Sequence, residues 1–187
     1  MKPILFSAEM VRAIQDLRKT QTRRVVKAPV LQDVREPNEV YWKNGKVVFN
    51  WCGETVGGFE VKPKYQPGDI LWVRETWFEN EECLLYKASK YENTKEYHGR
   101  NGWVQIKWRP SIFMPRAAAR IFLKVKNVKV ERLQDITDAD ILAEGFKCRE
   151  DFIVFWNILN EKRGHGWNKN DWVYAYTFEK KERQEGP

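Results

Sequence analysis

Pro67-Gly68-Asp69 leads into Ile70-Leu71-Trp72-Val73-Arg74-Glu75-Thr76-Trp77, and the reading of this stretch decides the fold class. Pro-Gly-Asp spells a turn, and the β-branched and aromatic residues that follow spell a strand. With a period of two, Leu71, Val73, Glu75 and Trp77 share one face, and Ile70, Trp72, Arg74 and Thr76 share the other. Both faces are mainly apolar, so a strand over 70–77 is expected to be covered on both sides. Arg74 and Glu75 are then charges in apolar surroundings, and each needs a partner.

Further strands are expected downstream at 84–88, 103–108 and 121–130. A last one at 171–179 sets Trp172, Tyr174, Tyr176 and Phe178 on one face. Pro110-Ser111-Ile112-Phe113-Met114-Pro115-Arg116 is too proline-bounded to be regular. Thr137-Asp138-Ala139-Asp140 reads as a capping box that opens a short helix, closed by Gly145. Phe152, Phe155, Trp156 and Leu159 recur at i, i+3, i+4 and i+7 and predict a helix ending at Gly164. Upstream, Ser7 is the N-cap of a helix over 7–18 that carries Met10, Ile14 and Leu17 on its apolar face. Between residues 28 and 67 the text is irregular and rich in proline. It is broken by one hairpin, in which Asn44-Gly45 joins Val40-Tyr41-Trp42 to Val47-Val48-Phe49. The organisation expected is one domain over 1–180 with an insertion at 28–64, and a flexible tail at 181–187. Several strands with three helices set among them predict a mixed α+β fold around a small β-barrel.

The chain has 187 residues, roughly one domain's worth. Lys and Arg number 33 against 26 Asp and Glu, a net charge of +7 that favours an anionic partner without naming it. No apolar run approaches the ~18 residues of a membrane helix, and the first residues lack the long apolar region of a secretory signal. Cys52, Cys83 and Cys148 form no CxxC pair, so no disulfide framework is expected and the setting predicted is a reducing cytoplasm. With His98 and His165 they match no standard zinc spacing, and no metal or cofactor is expected. Gly-rich phosphate loops, Ser-His-Asp constellations and HExxH are all missing from the sequence.

Lys19-Thr20-Gln21-Thr22-Arg23-Arg24 is the first candidate for chemistry. One reading is a solvated cationic helix end that complements the helix dipole. The other is an anion or nucleotide cradle, with Arg as planar donor, Thr as small donor and Lys19 as point charge or base. Arg74 and Glu75 are either a structural pair or charges that orient a pocket. Met114-Pro115-Arg116 with Arg120 is a basic loop suited to phosphates. Glu144 sits at a helix C-terminus, where the dipole disfavours a carboxylate, a hint of another task. Of the 9 Trp, those in periodic segments, Trp72, Trp77, Trp108, Trp156 and Trp172, read as core, although aromatics beside basic residues also stack bases.

Taken together, Arg18-Lys19-Thr20-Gln21-Thr22-Arg23-Arg24 and Tyr65-Gln66 with the block from Pro67 to Trp77 resemble the N-terminal signature of ASCH domains. Pro110 to Arg120, Leu133-Gln134-Asp135-Ile136-Thr137, Glu144-Gly145 and the aromatic last strand continue it in order. The chain looks most like the ASCH proteins of phages and prophages. The resemblance implies a PUA-like fold, a small mixed β-barrel with about three helices around it and a cleft beside it. It also implies binding of RNA or a modified nucleoside by Thr20, Arg23, Arg24, Arg74, Glu75, Trp77 and Arg116. The alternative it implies is an amidohydrolase that deacylates N4-acetylcytidine-like nucleosides. The matching catalytic positions are Lys19 as base, Thr22 as nucleophile and Glu144 as proton shuttle. A ribonuclease is a third possibility within the fold. Two departures stand out: Arg23 occupies a position where the small amidohydrolases carry an apolar residue, and the chain is much longer, with an insertion at 28–64 expected to cover or reshape the cleft.

Overall fold

The computed structural model describes residues 1–27, 37, 39–51, 57–89 and 94–181. In chain order the strands are β1 (Lys2–Leu5), β2 (Gln21–Val25), β3 (Glu39–Lys43), β4 (Lys46–Trp51), β5 (Gly57–Val61) and β6 (Ile70–Arg74). They continue with β7 (Trp77–Glu79), β8 (Leu84–Tyr86), β9 (Glu96–Gly99), β10 (Gly102–Gln105), β11 (Phe122–Arg132) and β12 (Trp172–Lys181). The helices are α1 (Ala8–Gln15), α2 (Asp138–Ala143) and α3 (Arg149–Asn160). The fold is mixed α+β, and no sheet among the described residues closes on itself. No described helix is long and apolar enough to cross a membrane.

Two compact units divide the chain. The first takes Met1–Thr20, Asp69–Lys124 and Glu179–Pro187. Its central strand is β6, flanked by β1 in parallel (Lys2 opposite Leu71) and by the start of β11 in antiparallel (Phe122 opposite Trp72). A neighbour on each edge and side chains buried on both faces explain why this strand reads as a continuous apolar run. The strand ends at Arg74 rather than Trp77. The Glu75 N–H turns to Met114 Sδ at 3.3 Å, and the chain re-enters a ladder as β7, with Trp77 opposite Tyr86 of β8. Leu71, Val73, Glu75 and Trp77 are all buried, but past the break Trp77 no longer keeps to their expected face: it joins Trp72 of the other. Trp72 and Trp77 pack with Met114, Ala118 and Ala119 in one apolar cluster. The irregular Pro110–Arg116 segment forms short 3-10 turns at Ser111–Phe113 and Arg116–Ala118.

Helix α1 starts as expected, with Ser7 Oγ accepting from Met10 N–H at 3.3 Å. It ends three residues early. Arg18 and Lys19 both donate backbone N–H groups to Ala13 O, at 2.9 and 3.0 Å. Leu17 takes a left-handed φ of 60° and stands 68% exposed, so it leaves the apolar face assigned to it. Strand β8 stops at Tyr86 and β10 at Gln105, both short of the expected ends, and β10 pairs with β9, which the sequence reading did not anticipate.

The second unit takes Gln21–Gly68 and Val125–Phe178. Here β12 lies between β2 and the later part of β11. The pairing of β12 with β2 is antiparallel, setting Tyr176 opposite Thr22 and Tyr174 opposite Arg24. The hairpin expected within 28–64 is present as β3–β4, extended by β5 into a three-stranded meander. Asn44 and Gly45 have φ of 51° and 72°, the left-handed pair that a two-residue hairpin turn requires. The remainder of that insertion at 28–36, 38 and 52–56, Cys52 within it, lies outside the described residues, as does the tail beyond 181. In α2 the capping box forms through Thr137 and Asp140, and Gly145 follows with φ 91°. Helix α3 buries Phe152 and Trp156 against Leu133, Ile136, Ile141 and Val173. Each such large side chain contributes about 1.5–3 kcal/mol by leaving water.

Candidate functional site

The polar run that follows Thr20 is not a solvated helix end. It is β2, hydrogen-bonded to β12 on one side, and Gln21, Thr22 and Arg23 are all buried. Strand alternation sends Gln21 and Arg23 to one face and Thr22 and Arg24 to the other.

On the first face the Arg23 guanidinium is fully buried among carboxylates. Its Nη2 and Nε lie 2.6 and 3.0 Å from Glu131 Oε1. Its Nη2 is also 3.2 Å from Asp140 Oδ2, and its Nη1 is 3.2 Å from Glu144 Oε1. Gln21 completes the set, accepting from Arg23 Nη1 at 2.5 Å and donating to Asp140 Oδ1 at 3.1 Å. Planar fork donors facing several acceptors are what make a buried guanidinium tolerable. Burial alone raises the Asp140 carboxyl, but hydrogen bonds from Thr137 and Gln21 and the charge of Arg23 outweigh it and hold the group below its ordinary value.

The second face is cationic and phenolic. Thr22 and Arg24 lie opposite Tyr176 and Tyr174, whose rings sit 5.9 Å apart. Tyr65 meets the Tyr176 ring edge-on at 5.2 Å. Burial raises the Tyr176 hydroxyl, against the pull of backbone N–H groups of Tyr65 and Lys64 that donate to it. Burial likewise raises Tyr65, opposed by the charge of Arg24. Burial lowers the Arg24 guanidinium from its ordinary value, while Glu144, Tyr65 and Tyr176 act to raise it. The Tyr174 hydroxyl is buried without a hydrogen-bond partner among the described residues, and burial pushes it up to about 12. Glu144 caps the C-terminus of α2, is 3% exposed, and answers to Arg23 by contact and to Arg24 by charge.

The structure thus brings Thr22, Arg23, Arg24 and Glu144 into one unit. The other sequence candidates belong to the first unit. Lys19 is 2% exposed there, its Nζ 5.8 Å from the centre of the Phe6 ring. Thr20 and Arg116 are exposed. Arg74 Nε donates to Met114 O at 3.1 Å, and its guanidinium lies 4.8 Å from the Trp72 ring. Glu75 accepts a two-pronged pair from Arg120, each bond 2.8 Å. Trp77 Nε1 is buried without a hydrogen-bond partner among the described residues, and the Arg109 guanidinium lies 5.0 Å from the Trp77 ring centre. Tyr65, Tyr174, Tyr176, Gln21, Glu131 and Asp140 were not among the site residues expected from sequence. The alternation of the last strand pointed to Tyr174 and Tyr176, but as core.

Comparison of this chain with protein-family models, with curated proteins and with solved structures finds no match.

Proposed function

We propose that this chain is a binding module that holds a nucleoside, free or within RNA, at the face carrying Thr22, Arg24 and Tyr174. One observation carries the reading: the Tyr174 hydroxyl, on the strand position opposite Arg24, is buried and has no hydrogen-bond partner among the described residues. Such an orphan costs about 1–3 kcal/mol, and a ligand amide or carbonyl that bonds it recovers that cost. Arg24, half-buried beside it, adds the fork donors that a phosphate or a base carbonyl accepts. The resemblance to ASCH domains supports the same class of ligand and supplies the PUA-like barrel as the finer reading of the fold. In this scheme Arg23 supports the site from behind, because its donors are directed at Glu131, Asp140 and Glu144. Calorimetric titration with cytidine, N4-acetylcytidine and a short single-stranded RNA tests it. Saturable binding is expected, weakening with salt for the RNA and reduced at least tenfold (~1.4 kcal/mol) in Arg24→Gln. No binding, or an Arg24→Gln variant equal to wild type, overturns the reading.

A second reading comes from the resemblance; within the second unit Thr22 and Glu144 are both buried, and Lys19 is buried in the first. A lysine and a carboxylate withdrawn from water suit acid–base work, and the resemblance assigns these residues to deacylation of an acylated pyrimidine nucleoside. Conversion of N4-acetylcytidine to cytidine, followed by chromatography, decides it. Turnover by wild type and none by a folded Lys19→Ala variant supports the enzyme. Binding without turnover leaves the binding module.

A further inference from the structure

Helix α3 of the second unit is held on three sides and leaves the fourth in water. Phe152 and Trp156 are buried, and Trp156 Nε1 donates to His165 O at 2.8 Å. On one flank Asn157 Oδ1 accepts from Trp167 N–H at 2.7 Å, and on the other Phe155 meets the Phe146 ring at 5.2 Å. These contacts fix the rotation of the helix. Its outward stripe reads Asp151, Val154, Ile158 and Lys162, the last in the 3-10 turn that continues α3. Val154 and Ile158, one turn apart, are 60% and 71% exposed, and the two charges beyond them are exposed as well. Val154, Ile158 and Lys162 line one groove with Asn157 and Glu161.

The stripe is a palindrome in character: acid, apolar, apolar, base. Asp151 and Lys162 straddle the same point, near Trp156-Asn157, that Val154 and Ile158 straddle. Turned end for end against itself, it sets acid against base at both ends and apolar against apolar between them. A parallel pairing would set Asp151 against Asp151 and Lys162 against Lys162. The neighbouring charges keep the two ends opposite in sign. Arg149 is turned away, donating to Ile136 O at 2.7 Å and to Asp138 at 3.2 Å, which leaves Glu150 with Asp151. At the other end Lys162 and Arg163 outnumber Glu161. Charges of these signs also suit the helix dipole, but the dipole gives no reason for two aliphatic side chains in water between them.

We propose that this face joins two copies of the chain about a two-fold axis, with α3 antiparallel to its twin. Asp151 of each copy faces Lys162 of the other, and Val154 and Ile158 pack in the seam between them. A two-fold contact uses the same patch on both copies, which is what a self-complementary stripe provides. One helix face is small beside the ~1,200–2,000 Å² of a stable interface, so the association is reversible and micromolar. The face uses no residue of the Arg24 site, so neither proposal falls with the other.

Sedimentation velocity of the full chain, read from about 1 to 500 μM, tests the proposal. A monomer that gives way to a dimer as concentration rises is expected. Ile158→Glu is expected to weaken the dimer at least about tenfold, because each copy then puts an unpaired charge into the seam. Asp151→Lys and Lys162→Glu, each alone, are expected to weaken it about 3–30-fold at low salt, since two attractions become two repulsions. Both reversals in one chain restore the facing charges and the net charge, and are expected to recover the wild-type association. A parallel pairing, or a contact of α3 with some other surface, gives no such recovery. All these positions are exposed, so thermal unfolding at low concentration is expected to show the variants folded. A chain that stays monomeric over this range, or a dimer that Ile158→Glu leaves intact, overturns the proposal. So do single reversals that leave the dimer unchanged, or a double reversal that fails to rescue it.

Discussion

Arg23 and Glu131, 108 positions apart in the chain, form a buried pair in which Nε and Nη2 of the guanidinium converge on one carboxylate oxygen at 3.0 and 2.6 Å. The same guanidinium reaches Asp140 and Glu144, so a single side chain of β2 links β11, two strands away in the sheet, with α2 and its C-cap. An arginine at a position where an apolar residue would serve the core is therefore an organiser of carboxylates, and it sets the position of Glu144.

Removing that organiser leaves three carboxylates facing one another in the interior. Arg23→Ala is expected to cost about 3–5 kcal/mol in urea unfolding, the range seen when one partner of a buried ionic group is deleted. Arg23→Met should recover little, because it restores volume and not charge. A loss under about 1 kcal/mol in Arg23→Ala would contradict the assigned role.

Asp140 makes acid stability a second test. Its carboxyl is held below the ordinary value in the folded chain, so it contributes stability that is present above the unfolded value of about 3.9 and disappears as pH falls through the folded value. Asp140→Asn is expected to reduce stability at neutral pH and to flatten the stability profile below pH ~4. An unchanged acid limb would count against the Gln21, Thr137 and Arg23 contacts as its cause.

Tyr174→Phe separates structure from function. Deleting an unpartnered buried hydroxyl should leave stability unchanged or raise it by about 1–3 kcal/mol, while nucleoside binding weakens. The alkaline side follows as well. A phenol raised to about 12 in the folded chain keeps its proton where the unfolded chain, near 10, has lost it. Stability is therefore complete below pH ~10 and declines as pH rises toward the folded value, and Tyr174→Phe removes that part of the decline. Simultaneous loss of stability and binding in Tyr174→Phe would point to a structural hydroxyl.

In the first unit, Arg120→Met strands the buried Glu75 carboxylate, which has two 2.8 Å bonds from that guanidinium. A loss of about 3–5 kcal/mol is expected in thermal or urea unfolding, and Glu75→Gln with Arg120→Met together should recover a large part of it. Additive losses in the double variant would show that the two side chains are not coupled.

What could be read from the residues alone is what local chemistry dictates. Ser7 and Thr137 announced their helices because a cap is satisfied within three residues. Asn44-Gly45 announced its hairpin because only a left-handed pair closes that turn. Arg74 and Glu75 were legible as charges in need of partners, and the partners, Met114 O and Arg120, lie about forty residues away. The sheet position of β2 was not legible. Gln-Thr-Arg-Arg carries no apolar alternation, and its burial depends on Glu131, Asp140 and Glu144, more than a hundred residues on. Leu17 misled for the opposite reason: its spacing was helical, but the helix has already ended at its C-cap Asp16 and Leu17 itself is left-handed. The phenols of β12 looked like core, and only the missing partner of Tyr174 distinguishes one of them.

The most direct measurement is backbone amide NMR of the isotopically labelled chain titrated with cytidine and N4-acetylcytidine. Saturable shifts concentrated at Thr22, Arg24, Tyr174 and Tyr176, and lost in Arg24→Gln, are the expected result. Absence of shifts, or shifts that gather elsewhere and persist in Arg24→Gln, would contradict a nucleoside site on this face.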